Sequence, residues 1–320
     1  MSENRKKVTV IVPAYNEAAA LPSFYAELTA VCRSLDGYAW EYLFIDDGST
    51  DETLHILKRL RQDDAHVSYV SLSRNFGKEN AMLAGFDYAQ GDCCIVMDAD
   101  LQHPPTLIPD MLRLWQEGYE DIYACRRNRD KEGLLRRKLS ELFYKLLDRS
   151  TNFEVLPNVG DFRLLDRKCI DALRRLRETE RYTKGMFCWI GYRKRQIVFD
   201  CGDRVAGKST WSYRKLFALA VKGITSYTTA PLRVSTLLGF CIAGAAFLYM
   251  LYFLVKTILY GDEAQGFPTL IIIILFLGGI QLISLGIIGE YLAAIFNETK
   301  RRPVYLTSEY SGTNDNQEHA

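Results

Sequence analysis

The stretch Cys93-Cys94-Ile95-Val96-Met97-Asp98-Ala99-Asp100 ends an apolar run in two carboxylates one residue apart. A run of this length reads as a buried parallel strand. Open α/β sheets gather their ligands outside the carboxyl ends of such strands. Desolvating neighbouring carboxylates is costly unless positive charge lies between them. A hard divalent cation carrying a phosphate group meets that need, because Mg²⁺ and Mn²⁺ take one or two carboxylates plus substrate oxygens. A solvated Asp pair in a strand-end turn is the plainer alternative, and these residues alone do not choose between the two.

The elements that must position this pair alternate along the chain. Strands are expected at Val8–Val12, Glu41–Ile45, Val67–Leu72, Cys93–Met97 and Ile122–Cys125. Helices are expected at Leu21–Leu35, Asp51–Gln62, Glu79–Gln90 and Thr106–Glu117, with Ser49 or Thr50 capping the second and Pro104-Pro105 opening the fourth. Such alternation predicts βαβ units in an α/β fold with a mostly parallel sheet. Polar signatures then fall at one edge: Pro13-Ala14-Tyr15-Asn16-Glu17, Asp46-Asp47-Gly48-Ser49, Ser73-Arg74-Asn75-Phe76-Gly77-Lys78, and Asp98/Asp100 with Gln102. Tyr15 can stack a base, an Asp of the second loop can accept from ribose or base, and Gly48 and Gly77 allow close backbone approach. Neither GxGxxG nor a Walker A loop occurs, which argues against a dinucleotide or P-loop site.

The chain has 320 residues, 48% hydrophobic and 25% charged, with a formal net charge of +1. No overall field favours nucleic acid. Eight cysteines without CxxC spacing read as reduced core residues, and four scattered His argue against a His-based metal site. Residues Met1–Lys7 are polar and run into a strand, so no cleavable signal peptide is expected. Val234–Val255 and Phe267–Gly289 are 22 and 23 residues without formal charge. Each would span roughly 33 Å, enough for a bilayer core of about 30 Å. Lys215, Lys222 and Arg233 before the first span, and Lys300, Arg301 and Arg302 after the second, flank an acidic loop at 260–266. The positive-inside rule then predicts an inner-membrane protein with both termini and the soluble part cytoplasmic. Four regions are expected: a soluble domain over 1–210, an interfacial helix over 211–233, a membrane hairpin over 234–296 and a tail over 297–320. The tail from Ser308 reads as disordered.

VPAYNE, DDGSTD, SRNFGKENAMLAGF, DADLQHPP and the two apolar spans resemble the family 2, GT-A fold, polyprenyl-phosphate glycosyltransferases, over residues 8 to about 303. That group includes dolichol-phosphate mannose synthases, aminoarabinose-type transferases and bactoprenol glucosyltransferases. The resemblance implies a GT-A sheet followed by interfacial and membrane helices. It implies nucleotide-sugar contacts at Pro13, Tyr15, Glu17, Asp46, Asp47, Lys78, Asp98 and Ala99. Asp98, Asp100 and Gln102 correspond to the diphosphate and metal site, for Mg²⁺ or Mn²⁺. Arg126 matches an arginine between donor and acceptor, and Arg136 and Ser140 match acceptor-phosphate contacts. Asn158-Val159-Gly160-Asp161-Phe162-Arg163 resembles the glucosyltransferase form of the catalytic loop, which implies catalytic roles for Asp161, as base, and Asp100. Arg204-Val205-Ala206-Gly207-Lys208-Ser209 resembles the segment that closes over the donor phosphates through Arg204 and Lys208. Mannose synthases carry Lys after that Ser, where this chain has Thr210.

The implied reaction transfers a hexose with inversion from a nucleotide-diphosphate sugar, UDP-glucose on the evidence of the Asp161 segment, to a polyprenyl phosphate such as undecaprenyl phosphate. A lipid monophosphate has a second pKa of about 6 and is largely a dianion at neutral pH. Asp161 is therefore not needed to create a nucleophile; it would orient the acceptor or stabilise positive charge at the anomeric carbon. A turn residue pairing Arg163 is the structural alternative. The basic run 126–138 and the mixed segment 211–230 suit an anionic leaflet. Rival readings are a mannose or aminoarabinose transferase, and a membrane-tethered nucleotide-sugar scaffold without catalysis. A processive synthase lacks support, since no QxxRW occurs. Self-association into a homo-oligomer is left open by the sequence.

Overall fold

Side chains alternate along the first strands, and the alternation determines the layers. In β1 (Lys6–Ala14), Val8, Val10 and Val12 face one core cluster while Ile11 faces a second. In β2 (Tyr38–Asp46), Tyr42 and Phe44 join the first cluster, and Leu43 and Ile45 the second. A sheet apolar on both faces must be covered on both. The computed structural model describes residues 5–126, 159–179, 181–199, 229–260 and 266–312. It places α1 (Leu21–Arg33) and α4 (Ile108–Gln116) against the first cluster. Helices α3 (Lys78–Tyr88), α5 (Arg167–Arg175) and α6 (Thr183–Trp189) supply the second. Phe24, Leu28 and Cys32 form the buried stripe of α1 at intervals of one helical turn. Fully buried side chains such as Phe24, Phe44 and Phe86 each contribute roughly 1.5–3 kcal/mol.

The sheet has eight strands in the order β7-β5-β6-β4-β1-β2-β3-β8. Strands β3 (Val67–Leu72), β4 (Cys93–Val96), β5 (Asp121–Arg126) and β7 (Lys194–Phe199) run in the same direction as β1 and β2. The expected strands and helices thus lie within a few residues of their positions. The start of α2 (Thr53–Asp63) is shifted: Asp51 Oδ1 accepts from Thr53 N at 3.0 Å. Ser49 and Thr50, expected as its caps, bind Asn16 instead.

Three strands were not expected, β7, parallel to β5, among them. Residues Val159–Asp166, read as a catalytic loop, form β6, which runs antiparallel between β4 and β5. Residues Thr307–Tyr310 form β8, antiparallel to β3, where disorder was expected from Ser308. The tail is polar but not unpartnered. Glu309 meets Lys58 at 2.7 Å and accepts from the Tyr69 hydroxyl at 2.5 Å, Tyr310 packs on Tyr88, and Tyr305 donates to Asp87 at 2.6 Å. The free edge of β3 supplies the backbone partners.

The described residues up to Phe199 and those from Arg302 onward form one compact unit, and 229–301 belong to a second. In the second unit, α7 (Ala230–Tyr260) and α8 (Phe267–Thr299) are both long and apolar enough to cross a membrane, with mean hydropathy of 1.6 over Pro231–Tyr249 and 1.7 over Phe276–Thr299. Both extend beyond the expected spans, and α8 continues past Glu290. Ser235 donates to Ser284 at 2.8 Å between them, as polar groups of packed membrane helices do. Of the interfacial helix expected over 211–233, residues 211–228 lie outside the described residues, and Ala230–Arg233 open α7.

Candidate active site

All six co-directional strands end at one edge, and β6, being antiparallel, begins there. The β4–β6 register pairs Cys93 with Asp166 and Val96 with Arg163. The pairing ends there, two residues before Asp98 and two after Asp161, so both acidic residues are brought to the same edge.

The loops at this edge are laced in sequence. Asn16 and Ser49 tie the first loop to the second: Asn16 N donates to Ser49 Oγ at 3.0 Å and Thr50 N to Asn16 Oδ1 at 2.9 Å. The second loop holds the third through two buried aspartates. Asp46 accepts from Ser49 N at 3.0 Å and from the Ser71 hydroxyl at 2.8 Å. Asp47 accepts from Phe76 N at 2.7 Å and Gly77 N at 2.9 Å, and its burial raises its pKa despite these bonds. Gly48 has φ +66° and packs on the backbone at Arg74, where an added Cβ would lie 2.4 Å from a carbonyl carbon. Asp46 and Asp47 thus serve as loop ties. Tyr15 remains 44% exposed and available for stacking, close to half-buried Pro13 and Glu17.

The third loop reaches the fourth through Lys78. Its Nζ lies 2.6 and 2.8 Å from the two oxygens of Asp98, and 2.7 Å from Asp161 Oδ2. Burial disfavours this ammonium, but the two carboxylates outweigh burial and raise its pKa. Burial would likewise raise the Asp161 carboxyl; Lys78 and then Lys184 overcome it and bring its pKa down to about 2. The other Asp161 oxygen, Oδ1, is buried without a hydrogen-bond partner. Burial, then Asp100 and Asp98, push Glu17 upward, so three acidic groups share this pocket of charge.

In the fourth loop, Leu101 takes φ 60°, which turns the chain sharply after Asp100. Gln102 N donates to Asp100 Oδ1 at 3.1 Å, and among the described residues Asp100 Oδ2 has no partner. Ala99 and Gln102 are buried. His103 stacks on Phe162 with ring centroids 5.0 Å apart and accepts from Asp98 N at 3.2 Å. Among the described residues no cluster of three or more His, Cys, Asp or Glu side chains could hold a metal alone. The donor set fits a hard cation nonetheless, because such an ion takes one or two carboxylates and completes its shell with phosphate oxygens and water.

The structure thus brings Pro13, Tyr15, Glu17, Lys78, Asp98, Asp100 and Asp161 to one edge, and Arg126 closes β5 there. Arg136, Ser140, Arg204 and Lys208 lie outside the described residues. Asp161 does not pair Arg163; Arg163 is buried and binds Asp121 at 3.1 Å. Met186 and Phe187 are buried in the core, whereas Trp189 is 57% exposed. Three nearby residues escaped the sequence reading. His103 shapes the fourth loop, Glu79 accepts from Thr183 N at 2.9 Å and fastens α6 to α3, and half-buried Lys184 acts electrostatically on Asp161 and Glu79. The DADLQH run could have flagged His103; nothing local marks the other two.

The sequence profile of Glycosyl transferase family 2 matches residues 9–174, and the GtrB C-terminal hairpin matches residues 230–295. The chain belongs to glycosyl transferase family 2. As a family member it is a glycosyltransferase, with a mostly parallel GT-A sheet flanked by helices. Its relatives include the bactoprenol glucosyl transferase of Shigella phage SfV, 41% identical over 94% of this chain and 97% of that protein. The prophage bactoprenol glucosyl transferase homolog of Escherichia coli K12 is 40% identical over 94% and 98%. An uncharacterized glycosyltransferase of Synechocystis is 43% identical over 96% of both chains. Among solved structures, Mycobacterium tuberculosis glucosyl-3-phosphoglycerate synthase, crystallised with Mn²⁺, UDP-glucose and phosphoglyceric acid, aligns with a TM-score of 0.46 at 19% identity over 69% of this chain and 78% of its own.

Proposed function

We propose that this family 2 enzyme transfers glucose, with inversion, from UDP-glucose to a polyprenyl phosphate such as undecaprenyl phosphate at a cytoplasmic membrane face. One observation carries the reading: Asp98, Asp100 and Asp161 converge at the sheet edge of a chain whose apolar hairpin matches that of GtrB. The names of relatives aligned over nearly the whole chain support glucose and bactoprenol as the transferred sugar and the acceptor class.

Tyr15 would stack the base, and the first two loops, held rigid by Asp46 and Asp47, would frame the nucleoside. Asp100, with Asp98, would hold Mg²⁺ or Mn²⁺, which when bound neutralises the leaving diphosphate. Arg204 and Lys208 are the remaining candidates for that diphosphate, and Arg126, Arg136 and Ser140 for the acceptor phosphate. An oxygen of the acceptor phosphate forms the new bond to the anomeric carbon as the bond to the nucleoside diphosphate breaks. The acceptor is already a dianion at neutral pH. A carboxyl with pKa about 2 is a feeble base, so Asp161 acts as a fixed anion beside the reacting carbon, not as a proton acceptor.

Connectivity supports a topology: the segments before α7 and after α8 both belong to the unit that holds the sheet, β8 included, as expected if both ends of the hairpin were on one side of the bilayer. With the flanking Lys and Arg residues, that side would be the cytoplasm.

The test is transfer of radiolabelled glucose from UDP-glucose into undecaprenyl phosphate by the full-length protein. Wild type is expected to label the lipid, and Asp100→Ala to label it about 10²- to 10³-fold more slowly, the loss typical of removing a main electrostatic stabiliser. Equal labelling by both would overturn the proposed role of Asp100. Label confined to water-soluble product would overturn the acceptor.

A further inference from the structure

Lys78 carries three N–H donors, and three carboxylate oxygens lie within 2.8 Å of its nitrogen: both oxygens of Asp98, and Oδ2 of Asp161. Its hydrogen-bonding capacity is therefore spent on the protein. A phosphate contact, the role the resemblance implies for this residue, requires Lys78 first to release a carboxylate. Asp98 is equally committed, since both of its oxygens face the same ammonium. Asp100 differs: among the described residues only its Oδ1 is engaged, by its own loop.

We propose that Lys78 is a resident counter-ion, standing in for the divalent cation at Asp98 and tying that carboxylate to Asp161. This rests on the donor and metal site proposed above. Asp100 and Asp98 would hold a divalent cation, and Asp98 would then give up Lys78, which would stay with Asp161. Lys78 would thereby couple occupancy of the Asp98 site to the state of Asp161. The bridge also offsets the mutual repulsion of Asp98 and Asp161, which share its ammonium.

The bridge predicts opposite signs for two readouts. Removing the ammonium would free both oxygens of Asp98, two residues from Asp100, for an incoming dication. Mn²⁺ affinity should rise while transfer falls, because Asp161 loses the contact that positions it. A lysine that only grips nucleotide would leave Mn²⁺ affinity unchanged when no nucleotide is present. A scaffolding lysine would weaken metal binding and transfer together.

The experiment is a Mn²⁺ titration followed by electron paramagnetic resonance, on full-length protein in a non-ionic detergent without nucleotide, paired with the lipid-transfer assay. Lys78→Met is expected to bind Mn²⁺ about tenfold more tightly, from the loss of one nearby positive charge, and to transfer at least about tenfold more slowly. Lys78→Arg should restore the wild-type Mn²⁺ affinity. Should Lys78→Met fail to fold, Asp161→Asn gives the complementary test: Lys78 then settles wholly on Asp98, and Mn²⁺ binding weakens. Unchanged or weaker Mn²⁺ binding by folded Lys78→Met, or unchanged binding by Asp161→Asn, overturns the bridge. Wild-type transfer to lipid phosphate alongside such a result leaves the proposed function standing. A wild type that neither binds Mn²⁺ nor transfers overturns both.

Discussion

Asp161 and Arg163 stand on the same face of β6, and each is met by an oppositely charged side chain from elsewhere in the fold. Arg163 lies over the Phe187 ring at 3.5 Å and donates to both oxygens of Asp121, with side chains only 2% and 0% exposed. Asp161 meets Lys78, which is 41% exposed and shared with Asp98. The inner pair has no room to exchange partners, and burial raises the Asp121 carboxyl even beside Arg163. The outer cluster has water on one side and an unpartnered oxygen, Asp161 Oδ1, on the other. One strand thus carries a permanent ion pair in the core and an exchangeable one at the sheet edge. The difference in burial alone separates a scaffold from a site.

Breaking each cluster in turn should expose that contrast. Arg163→Ala strands the Asp121 charge in the interior and should cost about 3–5 kcal/mol of stability, read as a lower denaturant midpoint by intrinsic fluorescence. Lys78→Met should cost less, about 1–2 kcal/mol, because Lys78 is 41% exposed although its partner Asp161 is only 15% exposed. Comparable losses for the two would erase the distinction.

A pH series sharpens it further. With a folded pKa of about 2, below the ordinary carboxyl value, Asp161 is ionised from pH 5 to 8. The stability it contributes is present above about pH 4 and is lost as pH falls toward 2. Asp161→Asn should slow transfer by about 10- to 100-fold, equivalent to about 1.4–2.7 kcal/mol. The acid limb of its rate profile should stay near pH 6, where the acceptor phosphate ionises. A limb that moves or vanishes with the substitution would restore Asp161 as a base.

The smallest effect is expected far from either cluster. Tyr305→Phe removes one hydrogen bond to Asp87, which keeps its two-pronged contact with Arg177 at 2.6 and 2.8 Å. The cost should be about 1 kcal/mol, seen as faster hydrogen exchange confined to β8.

Much of the soluble fold could be read before any coordinates. Strands β1 to β5 are apolar runs that end in polar loops, and α1 shows its buried stripe plainly. β6 was harder. Its sequence, Val-Gly-Asp-Phe-Arg-Leu-Leu-Asp, buries Arg163, so its alternation is masked by a charge that only tertiary pairing with Asp121 can satisfy. β8 was harder still, being four polar or aromatic residues whose stability comes from a strand more than two hundred residues away in sequence. At the site, residue types declared Asp98 and Asp100, and resemblance supplied Asp161. The clasp among Lys78, Asp98 and Asp161 depends on register between β4 and β6, which no local signal encodes.

The return of the chain to pair with β3 makes the greasy helices an insertion within a domain, not an appendage to one. Cutting the polypeptide ahead of α7, the obvious route to a water-soluble catalytic fragment, would strip β3 of its neighbour. The raw edge left behind invites intermolecular strand addition, so such a fragment should clump unless residues 302–312 are grafted back through a short linker.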